Sequence, residues 1–227
     1  MKKLFTIVLF PIIIIGLVFL VYSSISKPVK FDKERDARKA VAIQQLKDIR
    51  DLEVGFKSVY NHFTADVDSL KEFYLNGKMK VELQVGSPDD SAAVANTERI
   101  RKANKKITNV QLYEMYQKGE KNLVFTIESE VPTKETILVG RNDFDINKIG
   151  VIPFSGGDKV QMAAVVKTVS GVQVPLFEAK MPYNSLLKGM DHQLIVNLNA
   201  DMTDTDRYPG LMVGSIDNPN NNAGNWE

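Results

Sequence analysis

Leu4 to Tyr22 reads LFTIVLFPIIIIGLVFLVY, 19 consecutive residues without a charge, preceded only by Met1-Lys2-Lys3. A helix rises about 1.5 Å per residue, so this run reaches about 28 Å, close to the hydrocarbon thickness of a bilayer. Tyr22 at its end suits an interfacial anchor. Pro11 and Gly16 are tolerated in membrane helices, with a kink expected at Pro11. A cleaved signal peptide is the competing reading, with Ser24 and Ser26 as the small residues before the cut. Its apolar core is usually about 7–15 residues, shorter than this one. Residues 1–26 are therefore expected to be a retained transmembrane signal anchor.

The flanking charges give conflicting signals about orientation. Lys2 and Lys3 favour an N-terminus on the cytoplasmic side, with the bulk of the chain exported. Lys27, Lys30, Lys33, Arg35, Arg38 and Lys39 favour the reverse, and the intervening Asp32, Glu34 and Asp36 count little in that rule. A short Lys-Lys start followed by one span is the usual signal-anchor layout. The expected location is the inner (cell) membrane, single-pass, with the C-terminal domain periplasmic.

Beyond the span the composition excludes more than it proposes. The 227 residues carry 29 Lys+Arg against 28 Asp+Glu, no Cys and two His. A net charge of +1 argues against bulk electrostatic binding of nucleic acid. Without Cys there are no disulfides, Zn–Cys sites, iron–sulfur clusters or thiol nucleophiles.

Residues 27–78 read as a stalk helix and a short second helix. Between Phe31 and Phe63, residues Ala42, Leu46, Ile49, Leu52, Phe56, Val59 and Phe63 fall three or four apart, one continuous apolar stripe. The polar stretch before Val41 reads as a solvated stalk, and Gly55 is the weak point of the helix. Val67–Leu75 is the second helix, with Asp66 or Asp68 as N-cap and a stop at Asn76-Gly77. Residues 79–120 are a mixed connecting segment: a strand at Lys80–Val85, then helical, locally basic sequence over Ala92–Lys118. Arg99, Arg101, Lys102, Lys105, Lys106 and Lys118 there suit either a solvated face or contact with anionic headgroups or an acidic partner.

Residues 121–216 are β-rich. Leu123–Ile127 and Thr136–Val139 read as strands separated by Pro132. Val151–Phe154 and Lys159–Thr168 read as a hairpin turning at Ser155-Gly156-Gly157-Asp158. A turn at Val169-Ser170-Gly171 leads into Val172–Ala179, where Pro175 implies an edge or a bulge. Tyr183–Lys188 suits a short helix capped by Gly189, and Gln193–Leu198 a further strand. The Asn/Gly-rich tail, residues 217–227, is expected to be loose unless Trp226 pins it. The fold class is thus α+β: a transmembrane helix, a long amphipathic stalk helix and a mainly antiparallel β domain.

Few residues suggest chemistry. The chain has no HExxH, P-loop, G-x-S-x-G or G-x-G-x-x-G motif. His62 lies on the stalk helix and suits packing or surface. Asp191-His192 would orient a base, but no motif supplies a nucleophile. Asp201, Asp204 and Asp206, with Thr203 and Thr205, resemble a Ca²⁺ loop yet lack the Gly and distal Glu of an EF-hand. Ser155-Gly156-Gly157 suits a hairpin turn better than an anion cradle. Phe154, Phe177, Tyr183 and Tyr208 would stack on a sugar if exposed. No catalytic, cofactor or metal residue is assigned, and an enzyme is not expected.

Two resemblances follow from these segments. Met1-Lys2-Lys3-Leu4-Phe5-Thr6-Ile7, the apolar helix continuing as an amphipathic one, and Leu52–Leu70 resemble type IV pilins and the pseudopilins of type II secretion. That likeness covers residues 1–75 and implies a pilin-like fold with a terminal antiparallel sheet. Leu4 stands where prepilin peptidase requires Gly, and no Glu occupies the fifth mature position. The whole chain resembles an uncharacterised family of single-span envelope proteins from Bacteroidota. The segments carrying that likeness are PVKFDKERDARKAVAIQQLKDIRDLEVGFKSVY, IPFSGG, VPLFEAK, LLKGMDHQLIVNLN and YPGLMVGS…GNWE. In that phylum Asp-Ser/Thr-apolar triplets can be O-glycosylated, and Asp68-Ser69-Leu70 and Asp90-Ser91-Ala92 fit. The expected function is a membrane-anchored periplasmic structural or interaction protein, a pilin-like or scaffold component of an envelope assembly. Its expected partners are the lipid bilayer and envelope proteins, with a homo-oligomer allowed and no nucleic acid. An extracytoplasmic small-ligand or glycan-binding module is the alternative.

Overall fold

The computed structural model describes residues 10–227, apart from the side chain of Ser23. Lys2, Lys3 and apolar residues 4–9 lie outside the described residues, as does the turn preceding Pro11 in which its kink is expected. Helix α1 runs unbroken over Phe10–Tyr60, 51 residues or about 76 Å. Every residue from Phe10 to Tyr22 is exposed, and α1 as a whole is long and apolar enough, by length and composition, to cross a membrane.

The same helix then becomes the spine of a folded unit. The polar segment before Val41 is part of it. Arg35 pairs with Asp32 (2.7 Å) and Asp36 (2.9 Å), and Arg38 pairs with Glu34 (2.9 Å), all within one or two turns. The i,i+3 pair of Arg35 with Asp32 and the i,i+4 pair of Arg38 with Glu34 support a helix whose surface is otherwise solvated. Pro28 lies inside the helix; its missing N–H leaves the Ser24 carbonyl without an i+4 donor. Phe31 is the first buried apolar residue, and Ala42, Leu46, Ile49, Leu52, Phe56 and Phe63 follow as the expected stripe. Val59 departs from that stripe and is exposed. The helix stops one residue later, and Asn61 turns the chain with φ 63° while its N–H still reaches the Lys57 carbonyl.

Contacts divide the chain into two compact units, residues up to Lys71 together with Asp143–Glu227, and Glu72–Asn142. Helix α2, Val67–Asn76, starts at Asp66, whose carboxylate accepts from the Asp68 and Ser69 amides. In the second unit strand β1 (Lys78–Val85) pairs antiparallel with β2 (Phe125–Pro132), from Lys78 opposite Pro132 to Val85 opposite Phe125. Between them lie α3 (Ser91–Ala103), capped by Asp90, and α4 (Asn109–Gln117), opened by a Thr108/Gln111 capping box. Val85, Leu112, Leu123 and Phe125 form their core, with Ile100, Ile107 and Tyr113 against it. The strand expected at Thr136–Val139 is absent. Pro132 ends β2, a 3-10 turn follows at Thr133–Glu135, and the Ile137 amide donates back to the Thr133 carbonyl.

In the first unit β3 (Gln161–Val169), β4 (Val172–Pro182) and β5 (Gly210–Gly214) form a three-stranded antiparallel sheet in that order. Ser170 and Gly171 both have positive φ (52° and 83°), the backbone of a type I′ hairpin turn. Pro175 faces Val166 of β3, while β5 pairs only from Glu178 onward. Its missing N–H therefore falls where β4 is locally an edge. Phe177, Ala179, Met181, Leu211 and Val213 are buried and alternate along β4 and β5. Phe177 meets Phe63 with ring centroids 4.8 Å apart. Helix α5 (Tyr183–Leu186) leads to Gly189 at φ 84°, as expected.

Three expectations are corrected in this unit. Val151–Phe154 is no hairpin arm, since only Val151 bridges to Lys159. Gln193–Leu198 is not a strand but the middle of helix α6 (His192–Thr203). Asp191 decides this: its carboxylate accepts from the Gln193 and Leu194 amides, an N-cap that starts a helix. The tail is not loose. Val213 bridges to Gly224, Asn225 exchanges bonds with Met212 and donates to the Gly210 carbonyl, and Glu227 pairs with Arg50 at 2.7 Å.

The packing of the spine makes a direct prediction. Leu52 is fully buried and Val54, two residues on, is 47% exposed. Leu52→Ala is expected to cost about 2–5 kcal/mol in chemical denaturation of the detergent-solubilised chain. Val54→Ala is expected to cost less than about 0.5 kcal/mol by the same measurement.

Candidate functional site

Four polar side chains of α1 tie it to the first unit at successive levels. Nη1 of Arg38 donates to the carbonyls of Leu186 (3.3 Å) and Lys188 (3.0 Å), and its guanidinium lies 5.0 Å over the Phe154 ring. About two turns further on, Nε2 of Gln45 lies within hydrogen-bond reach of the carbonyls of Lys148, Ile149 and Val151. Arg50 holds the C-terminal Glu227. Glu53 accepts from the Thr64 amide through Oε2 at 3.0 Å. Backbone carbonyls in loops need such donors when no neighbouring strand supplies them.

Glu53 is fully buried. Its other oxygen, Oε1, has no hydrogen-bond partner among the described residues. Burial pushes the carboxyl up from 4.5 to about 8, and the Thr64 amide offsets only part of that. At neutral pH the group is therefore mostly protonated. It sits beside the end of the helix, where Phe56, Tyr60 and His62 form an aromatic cluster with centroids 4.4–6.4 Å apart. Nδ1 of His62 lies 2.9 Å from the Phe63 carbonyl; the residue is exposed and follows the end of α1 at Tyr60 instead of lying on the stalk helix as expected.

The remaining sequence candidates are dispersed. Asp191 is spent on its cap, and His192 is exposed at the first turn of α6. Asp201, Asp204 and Asp206 surround the end of α6, where the Thr205 hydroxyl donates to the Asp201 and Met202 carbonyls. Among the described residues no group of three His, Asp or Glu is placed to hold a metal ion. In the Ser155-Gly156-Gly157 loop, Ser155 Oγ itself accepts from the Gly157 and Asp158 amides, so the loop closes on its own side chain. Of the four aromatics, Phe177 and Tyr183 are buried. Tyr208 is half-buried with the Lys180 ammonium 5.3 Å from its ring centroid. Phe154 alone is exposed, at 51%. Arg99, Arg101 and Lys102 on α3, and Lys105, Lys106 and Lys118 outside the helices, are all exposed, with Arg99 and Arg101 bonded to Asn96 and Asn109 and Lys102 beside Glu98.

Of these candidates, His192 borders a concavity. Asn184, Lys188, Gly189, His192, Ile195 and Asn199 line an open groove of about 460 Å³ between α5 and α6. Asn199 donates to Asn184 at 2.8 Å, and its own Oδ1 is buried without a partner among the described residues. The sequence signal for this groove was weak, because it required α6 to be a helix. Comparison with protein-family models, curated proteins and solved structures finds no match to this chain.

Glu53 yields a pH prediction with a defined sign. Its folded pKa is raised, so the stability it allows is fully present below about 4.5. That stability declines as pH rises toward 8 and beyond. At about 1.4 kcal/mol per unit of displacement the decline is on the order of 5 kcal/mol at most. Denaturation midpoints of the wild-type chain are expected to fall between pH 5 and 9. Glu53→Gln is expected to remove most of that slope.

Proposed function

We propose that the protein is a membrane-anchored structural or interaction protein of the bacterial envelope, with its folded units on the periplasmic side. Phe10–Tyr22 is the described part of its single-pass anchor, and α1 is a rigid spine for attachment and contact. The observation that supports this reading most is the change in what α1 presents along its length. Its apolar side chains are all exposed through Tyr22, and a single stripe is buried from Ala42 onward. A soluble protein leaves no such run of apolar side chains in water, whereas lipid covers it at no cost. The absence of a break at residues 27–40 supports a pilin-like or scaffold role, because force or position is transmitted through a continuous helix. No catalytic reaction is assigned to the protein.

A small-ligand or glycan-binding module is the second reading. The α5–α6 groove and the unpartnered Asn199 oxygen favour it over the aromatic surface, most of which is packed. A shift in the melting temperature of the full chain in detergent with a sugar or phosphate panel is the expected sign. Asn199→Ala would remove it.

Localisation supplies the decisive experiment. The chain is expected to stay with membranes through alkaline carbonate washing. A periplasm-active reporter fused after Glu227 is expected to be active, and a cytoplasm-active one silent. Release by carbonate would refute the anchor, and the opposite reporter pattern would refute the periplasmic placement.

A further inference from the structure

The charges just beyond the span are sorted into two sets. Asp32, Glu34 and Asp36 are all engaged by Arg35 and Arg38. Arg38 is held in turn by the carbonyls of Leu186 and Lys188. Lys27, Lys30 and Lys33 are exposed and have no ion-pair partner among the described residues. The acids of this segment are thus already engaged by the arginines; Lys39 is half-buried and lies near Asp36, and the three exposed ammonium groups nearest the span are left over.

Their position on α1 determines what they meet. They lie 5, 8 and 11 residues past Tyr22 on one continuous helix, about 7, 12 and 16 Å along its axis. The headgroup layer occupies about 5–8 Å on each side of the hydrocarbon. Helical Cα–Cβ bonds tilt toward the N-terminus, here toward the bilayer, and long lysine stems extend further along that direction. At 100° per residue the three side chains cover about 120° of the helix circumference. Lys27 thus reaches the phosphate level, and Lys30 and Lys33 lie within about one Debye length of it.

We propose that Lys27, Lys30 and Lys33 form a lipid-binding collar that recruits anionic phospholipid headgroups around the anchor. The inference rests on the anchor reading above. Phosphate oxygens accept from the ammonium groups, and the fixed spacing on a helix keeps all three available together. The effect is electrostatic and weakens with salt.

The test uses the full chain in vesicles of equal phosphatidylcholine and phosphatidylglycerol, with Tyr22→Trp as the reporter. Trp226 gives a constant background, since its neighbour Glu227 is held at Arg50, about 42 Å beyond Tyr22 along α1. Either the zwitterionic or the anionic lipid is brominated to quench tryptophan. A several-fold preference for quenching by brominated phosphatidylglycerol is expected. It should fall to about unity in the triple variant Lys27→Gln, Lys30→Gln, Lys33→Gln and in 1 M NaCl. Equal quenching by the two lipids overturns the collar while leaving the anchor intact. A preference that survives in the triple variant also overturns it. Quenching by neither lipid overturns the anchor and the collar together.

Discussion

Burial of one face of α1 is the contact on which the first unit depends. The sheet β3–β4–β5 has a single buried alternation, Phe177, Ala179 and Met181 with Leu211 and Val213, and this apolar face needs a partner. Phe63, at the end of the α1 stripe, meets Phe177 directly. At about 25 cal/mol per Å² of apolar area removed from water, burial of a whole face outweighs the single hydrogen bonds around it. Those bonds do different work. Arg38, Gln45 and Arg50 satisfy loop carbonyls and the tail, and so set where each segment meets the spine.

Glu53 is the exception inside that apolar contact. A carboxyl four residues after Ile49 lies on the stripe by helical spacing, and it enters the core mostly protonated at neutral pH, with one oxygen unmatched among the described residues. An apolar residue there would pack without that cost. What Glu53 contributes is a bond to the Thr64 amide, which fixes the chain just after α1 ends.

Much of the architecture was legible in the sequence because local signals and packing agreed. The three- and four-residue spacing marked the buried part of α1 from Ala42 onward, Asp66 was one of two candidate caps for α2, and Val169-Ser170-Gly171 marked the β3–β4 turn. Errors arose where side-chain type and local backbone disagreed. Gln193–Leu198 is rich in β-branched and apolar residues, yet Asp191 caps it, and Leu194, Ile195 and Leu198 share a helical face. Thr136–Val139 has strand-like composition, but Leu138 takes φ 60° and the chain turns. The Asn-rich tail looked unstructured because its order comes from Arg50 and from β5, 177 and 13 residues away in sequence. Neither the groove nor the neutral Glu53 carries a motif. Both emerge only from the way α5, α6 and the end of α1 pack.

Helical continuity across Pro28 makes α1 a lever as well as a spine. With the apolar run seated in a bilayer as proposed, α1 would lie about 20° from the membrane normal, the average for spans, and the helix extends about 57 Å from Tyr22 to Tyr60. A change of tilt of that size carries the far end about 20 Å sideways. Small changes in bilayer thickness, which alter tilt, would thus become large displacements of whatever the far end of α1 touches.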